Sequence, residues 1–284
     1  MTSQENTINQ LDPELADFLK TTLDTGEGIR LPFAAPVIWA VNGTAALKAL
    51  GGAQYYGGWA VKDEDLEDAA QEWSVDMPAN FTQAEISPRN GDTYSAYTAR
   101  SIAVAPICLR QSWILDGHRF VDYQDGSRRH VQILCMMAVK VDKKYAKWGP
   151  VVLSAKGFQA RNITDAFKAW EKHTAPMRRK VASLIPPAAF WVVMGTFGDE
   201  REFINVGKPG AQSPITPIKA WLSKEVTAEM LAGWFIGNDT AREMKDLREQ
   251  ADEWAQAWRE PAQVQQPDGF GDDYRPEFEE EIAF

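Results

Sequence analysis

Holding an unpaired nucleic-acid strand without reading its sequence takes two residue types together. Lysine and arginine follow the phosphates, and aromatic rings stack under the bases, each stacked base contributing about 1–3 kcal/mol. Between Arg89 and Lys224 this chain carries 21 Lys and Arg against 10 Asp and Glu, a net of +11, with rings set among them. Tyr94, Tyr97 and Arg100 share one strand-like run, with Arg110 and Trp113 at its far end. Arg119, Phe120 and Tyr123 lead to Arg128, Arg129 and His130. Lys140, Lys143, Lys144, Tyr145, Lys147 and Trp148 form the densest group, read as a hairpin loop. Lys156, Phe158 and Arg161 close the series. A loop flanked by lysines is a poor place to bury rings, so Tyr145 and Trp148 are the rings first expected to meet bases. Tyr94 and Phe158 follow, whereas Trp170 and Trp191 are assigned to the core.

A second group is the glycine-aromatic run of residues 51–59, with Tyr55, Tyr56 and Trp59 beside four glycines. Glycine lets a backbone approach a ligand or a neighbouring strand closely. Two readings fit this run: a clamp on bases, or a bulged hairpin whose rings cover one end of a barrel. It lacks the Lys-Ser/Thr ending and the spacing of a phosphate loop.

The whole chain has 284 residues and a net charge of −10, which argues against a polyanion ligand until the distribution is considered. Residues 62–76 carry seven acids and one base, and residues 267–284 again seven acids and one base. A basic body is thus flanked by acidic segments, an arrangement that binds phosphates at a low overall isoelectric point. The C-terminal stretch is also rich in Pro, Gln and Gly and has too few apolar residues to offset its ordering entropy. It ends Glu279-Glu280-Glu281-Ile282-Ala283-Phe284, an apolar tip beside the α-carboxylate. Such a tip suits capture by a small apolar pocket with a basic residue.

This ending resembles the C-terminal tip of single-stranded DNA-binding proteins, in which acids precede Ile-Pro-Phe in bacteria or a last Phe in several phages. Ala283 stands in place of the Pro, and Glu in place of most of the Asp. The resemblance to the phage-encoded members covers the tail alone. It implies an OB-fold body and a role in DNA replication, recombination and repair. It also implies that Glu279, Glu280, Glu281, Ile282 and Phe284 recruit a polymerase, helicase or primase and compete with DNA for the groove.

Enzyme chemistry finds little support, and no cofactor is expected. His118, His130 and His173 are scattered, without metal-ligand spacing to a Cys or another His. There is no Gly-x-Ser-x-Gly elbow and no Cys-x-x-Cys. Asp116, Asp122 and Asp125 lie near Arg128 and Lys140, a set from which a metal-dependent nuclease could build a site, but a solvated loop is the better explanation of them. A third reading is an interaction protein whose acidic parts mimic DNA, and the +11 body counts against it.

The elements that must position these residues follow from periodicity. Asp12-Pro13 begins a short helix, so 1–28 is read as a helical arm. Strand-like runs cover 31–41 and 54–61, an acidic helix 63–73, and long strands 93–109, 130–141 and 150–158. Asn162 is read as capping a helix that Pro176 stops or kinks. Residues 190–197 and 201–206 read as a hairpin turning at Gly198-Asp199. Several strands, one helix and a hairpin match the element order of an OB-fold barrel. The expected class is therefore β-rich α+β: an OB-fold-like five-stranded barrel over 29–236, an amphipathic helix at 237–260 and a disordered acidic tail at 261–284. In that helix Met244, Leu247, Ala251, Trp254 and Trp258 step by 3, 4, 3, 4, a stripe for the barrel or for a second copy, which makes a homodimer possible. Cys108 and Cys135 lie in apolar runs and are read as reduced core thiols. No membrane span or signal peptide is evident, so a cytoplasmic protein is expected.

Overall fold

The computed structural model describes residues 30–41, 46–49, 57–87, 94–115, 119–121, 124, 127–142, 144–183, 185–197, 204–206 and 213–257. Its centre is one eleven-stranded sheet. In chain order the strands are β1 (Val37–Val41), β2 (Ala46–Ala49), β3 (Gly58–Lys62), β4 (Thr82–Ser87), β5 (Tyr94–Ala99), β6 (Ser101–Leu115), β7 (Arg119–Val121), β8 (Arg128–Val141), β9 (Lys144–Lys156), β10 (Val192–Gly195) and, after a separate pair, β13 (Lys219–Ala220). The separate pair is β11 (Ile204–Val206) with β12 (Ser213–Ile215). The order across the sheet is β13-β10-β6-β8-β9-β1-β3-β5-β4-β2, with β7 on the end of β6. Neighbours run antiparallel except β1, which lies parallel to β9. The sheet curls into a half-barrel. The protein is thus a strand-rich mixture of strands and helices, and eleven strands stand where a five-stranded barrel was expected.

The alternation of β8 explains its central place. Val131, Ile133, Cys135 and Met137 enter the largest core on one face, while Leu134, Met136 and Ala138 enter smaller cores on the other. A strand apolar on both faces must be covered on both. Helix α1 (Asp63–Glu72), helix α2 (Phe158–Val181) and helix α3 (Ala228–Trp234) bury their apolar sides in the first core through Leu66, Ile163, Trp170 and Trp234. Helices α4 (Asn238–Gln250) and α5 (Asp252–Gln256) close the second face. Met244 and Leu247 bury in one of its clusters and Ala251 and Trp254 in the other, so these four residues of the stripe dock within the chain. Trp258 lies outside the described residues.

Several boundaries differ from expectation for identifiable reasons. The run 93–109 is two strands broken at Arg100, where the chain turns a corner. Gly58 and Gly195 pack against that corner. A Cβ on Gly195 would stand 2.0 Å from the Arg100 carbonyl oxygen, and one on Gly58 2.4 Å from that of Ala99. The hairpin expected over 190–206 does not form, because β10 pairs with β6 and β13 whereas β11 pairs with β12. Helix α2 starts at Phe158 after Gly157, which has φ 56°, rather than at Asn162. It also runs through Pro176 to Val181, held in that stretch by Arg178, which donates to Thr174 Oγ1 at 3.1 Å and to the Glu171 carbonyl at 3.2 Å. The acidic helix forms where it was read, and Cys108 and Cys135 are free thiols, Cys135 buried. The N-terminal helical arm and the acidic tail lie outside the described residues. No helix among the described residues is long and apolar enough to cross a membrane.

Candidate nucleic-acid interface

The β6–β8–β9 registers decide which basic and aromatic residues meet. Trp113 lies opposite Arg129, Ile114 opposite Arg128, and His130 between Ser112 and Lys156. These positions mark one end of the long strands. Strand β9 passes at once through Gly157, whose N–H donates to the Arg129 carbonyl at 2.7 Å, into α2. The turn sets Phe158, 49% exposed, between Lys156 and Arg161. Six of the expected site residues therefore gather at this strand end: Trp113, Arg128, Arg129, Lys156, Phe158 and Arg161. Arg128, Lys156 and Arg161 are exposed, and Arg129 is half-buried. Among described residues the acid in this group is Asp165, 3.5 Å from Arg161 Nε.

The two sheet faces differ there. On one, Arg129 donates twice to Gln111 Oε1, at 2.7 and 3.1 Å. Burial lowers the pKa of its guanidinium, against the opposing pull of Asp165. On the other face a polar network crosses three strands. Arg110 donates to Gln132 Oε1 at 2.7 and 2.9 Å, Gln132 Nε2 lies 3.5 Å from Ser154 Oγ, and His130 Nε2 lies 3.0 Å from the same hydroxyl. Burial, then the charges of Lys156 and Arg110, push the His130 pKa down to about 4. His130 is thus a neutral ring inside a cationic strand end.

Further along the sheet, Trp39 on β1 and Tyr94 on β5 meet across the curl, their centroids 6.1 Å apart at 52°. Both are half-buried over the cluster of Val41, Ala60, Ile86 and Ala96. Burial raises the Tyr94 phenol pKa, and a hydrogen bond with Trp39 opposes it.

Other expected contacts are corrected. Trp148 is 2% exposed and donates its indole N–H to the Asp76 carbonyl at 2.9 Å. It belongs to strand β9 at a bulge, where Gly149 faces Met137 and Lys147 faces Ala138, and the extra residue turns its ring into the core of Val151, Leu153 and Ala155. Tyr145 is half-buried against the core. Lys147 is paired with Glu243 of α4. Trp59 is fully buried, its indole N–H donating to the Met194 carbonyl at 2.8 Å, so it pins β3 to β10. Arg110 is 5% exposed and is committed to Gln132, to the Trp254 ring at 4.0 Å and to the Trp254 carbonyl at 3.1 Å. Desolvation lowers its pKa to about 10. Trp170 and Trp191 are buried, as expected.

Lys140 and Lys144 are exposed at the opposite end of β8 and β9, roughly 40 Å from Arg128 at about 3.3 Å per residue. Arg100 sits at the β5–β6 corner, on the Lys140 side of the long strands and away from Arg128, since Ala103 pairs with Ala138. Tyr55, Tyr56, Lys143, Glu279, Glu280, Glu281, Ile282 and Phe284 lie outside the described residues, as do Asp116, Asp122 and Asp125. No group of three or more His, Cys, Asp or Glu able to hold a metal ion occurs among the described residues. Sequence reading passed over Gln111, Gln132 and Ser154, which have neither charge nor ring, and Trp39, which has no basic neighbour. No family model, curated protein or solved structure matches this chain.

Proposed function

We propose that the protein binds single-stranded DNA without sequence preference, and that the cationic strand end of β6, β8 and β9 is its contact surface. The observation that carries this reading is the register that sets Arg128 and Lys156 on one face, and Trp113 and Arg129 on the other, of a single strand end beside exposed Phe158 and Arg161. Four cations track phosphates there, and an exposed ring offers a π-face to a base. The curled sheet and the helix directly after a long strand are what remains in favour of an OB-like body. The ending Glu279 to Phe284 supports a tail that recruits replication proteins and competes with DNA. Removing residues 272–284 is then expected to raise DNA affinity at low salt and abolish that recruitment.

The test is a tryptophan-fluorescence titration with poly-dT and with duplex of equal length, at low and high salt. Quenching by poly-dT alone, weakened by salt, supports the reading. Silence toward both ligands would remove it and leave the tail as a partner tag on a protein of another class.

A further inference from the structure

Helix α2 carries a stripe that the strand-end surface does not include. Arg161, Asp165, Lys168, Lys172, Ala175 and Arg179 step by 4, 3, 4, 3 and 4, so they stand on one line of the helix. The buried residues Ile163, Ala166, Trp170 and Thr174 occupy the opposite side, and the stripe faces outward. Asp165 is taken up by Arg161, and Glu171 leans toward Arg178 at 3.9 Å. Among the described residues Lys168, Lys172 and Arg179 form no ion pair, and with Glu171, Ala175 and Pro176 they line a shallow open groove.

Exposed cations in an even row with few apolar neighbours fit a chain of phosphates better than an apolar partner. The row is also continuous with the strand end, since β9 enters α2 through Gly157 and Arg161 belongs to both. From Arg161 to Arg179 it extends about 27 Å at 1.5 Å per residue. We infer that a bound single strand leaves the sheet at Lys156 and Phe158 and continues along the outer face of α2, its phosphates on Lys168, Lys172 and Arg179. This inference rests on the proposed single-strand binding and enlarges its footprint.

The test compares the full-length protein with the K168Q/K172Q/R179Q variant, titrated with a dT oligomer of about six nucleotides and one of about 30. All three positions are on the helix surface, so unchanged circular dichroism and Tm are required first. The expected result is equal binding of the short oligomer by both proteins. For the long one the salt slope of the variant is shallower by about 2, three phosphates at about 0.7 each. Identical slopes on the long oligomer would overturn the track while leaving the sheet surface standing. An equal loss on duplex DNA would assign the stripe to duplex phosphates and also overturn it. Failure of the unsubstituted protein to bind either oligomer would remove the parent reading, and the inference with it.

Discussion

The guanidinium of Arg110 lies 4.0 Å above the Trp254 indole and donates to that residue's own carbonyl at 3.1 Å. One buried cation thereby ties α5 to the middle of β6, a link across 144 residues of chain. It also explains why a basic residue in a basic segment is unavailable to a phosphate. Replacing Arg110 by Ala leaves Gln132 Oε1 and the Trp254 carbonyl without their donor and removes the cation from the ring. The expected loss is about 2–4 kcal/mol in urea denaturation. Arg110→Lys is expected to recover less than half of it, because a point charge cannot supply the fork that reaches both acceptors.

Trp59 and Trp148 are structural rings, distinct from the exposed Phe158 proposed to meet bases. Trp148→Ala empties a buried site and is expected to cost about 3–5 kcal/mol. Trp59→Phe keeps the ring but loses the bond to the Met194 carbonyl, about 1–3 kcal/mol with that acceptor left buried. Neither substitution is expected to change DNA affinity once the folded fraction is corrected for. Phe158→Ala is expected to do the reverse: negligible change in Tm and weaker binding of dT oligomers.

The Arg100 corner admits no side chain at residue 195. Gly195→Ala would place its Cβ against backbone, which cannot swing aside as a side-chain tip could. It is expected to lower Tm more than Gly233→Ala, where nothing stands within 4 Å. Equal Tm values for the two variants would show that the corner relaxes.

His130 makes stability depend on pH with a definite sign. Its folded pKa, about 4, lies below the ordinary value of 6.5, so between these values the unfolded chain binds the extra proton. The stabilisation is complete above pH 6.5 and is lost as pH falls toward 4, on the order of 3 kcal/mol at most. His130→Gln is expected to flatten the difference in unfolding free energy between about pH 4 and 6.5. A parallel profile for variant and parent would contradict this.

What could be read in the sequence was whatever depends on period. The alternation in β8, the acidic helix α1 and the docking stripe of α4 and α5 are local patterns, and the structure bears them out. Pairing partners depend on distant segments. Nothing near Val192–Gly195 announces that it will pair with β6 and β13 rather than fold back on Ile204–Val206. Flanking lysines suggest an exposed loop around Trp148, but in strand β9 they report only on their own face, and the bulge that turns the ring inward depends on the distant partner β8. Of the residues proposed to bind, those near Lys156 converge at one strand end, since β6, β8 and β9 are consecutive antiparallel neighbours. The lysines around 140–147 belong to the same two strands but to their other end.

That separation supplies the most direct test of the central claim. Binding of fluorescent dT is compared between the unsubstituted protein, R128E/K156E at one strand end and K140E/K144E at the other. The pairs carry the same change in net charge, so any difference reflects position. At least a tenfold loss, about 1.4 kcal/mol, is expected for R128E/K156E, and a much smaller one for K140E/K144E. Equal losses, or a larger loss for K140E/K144E, would contradict a contact surface at the Arg128–Lys156 end.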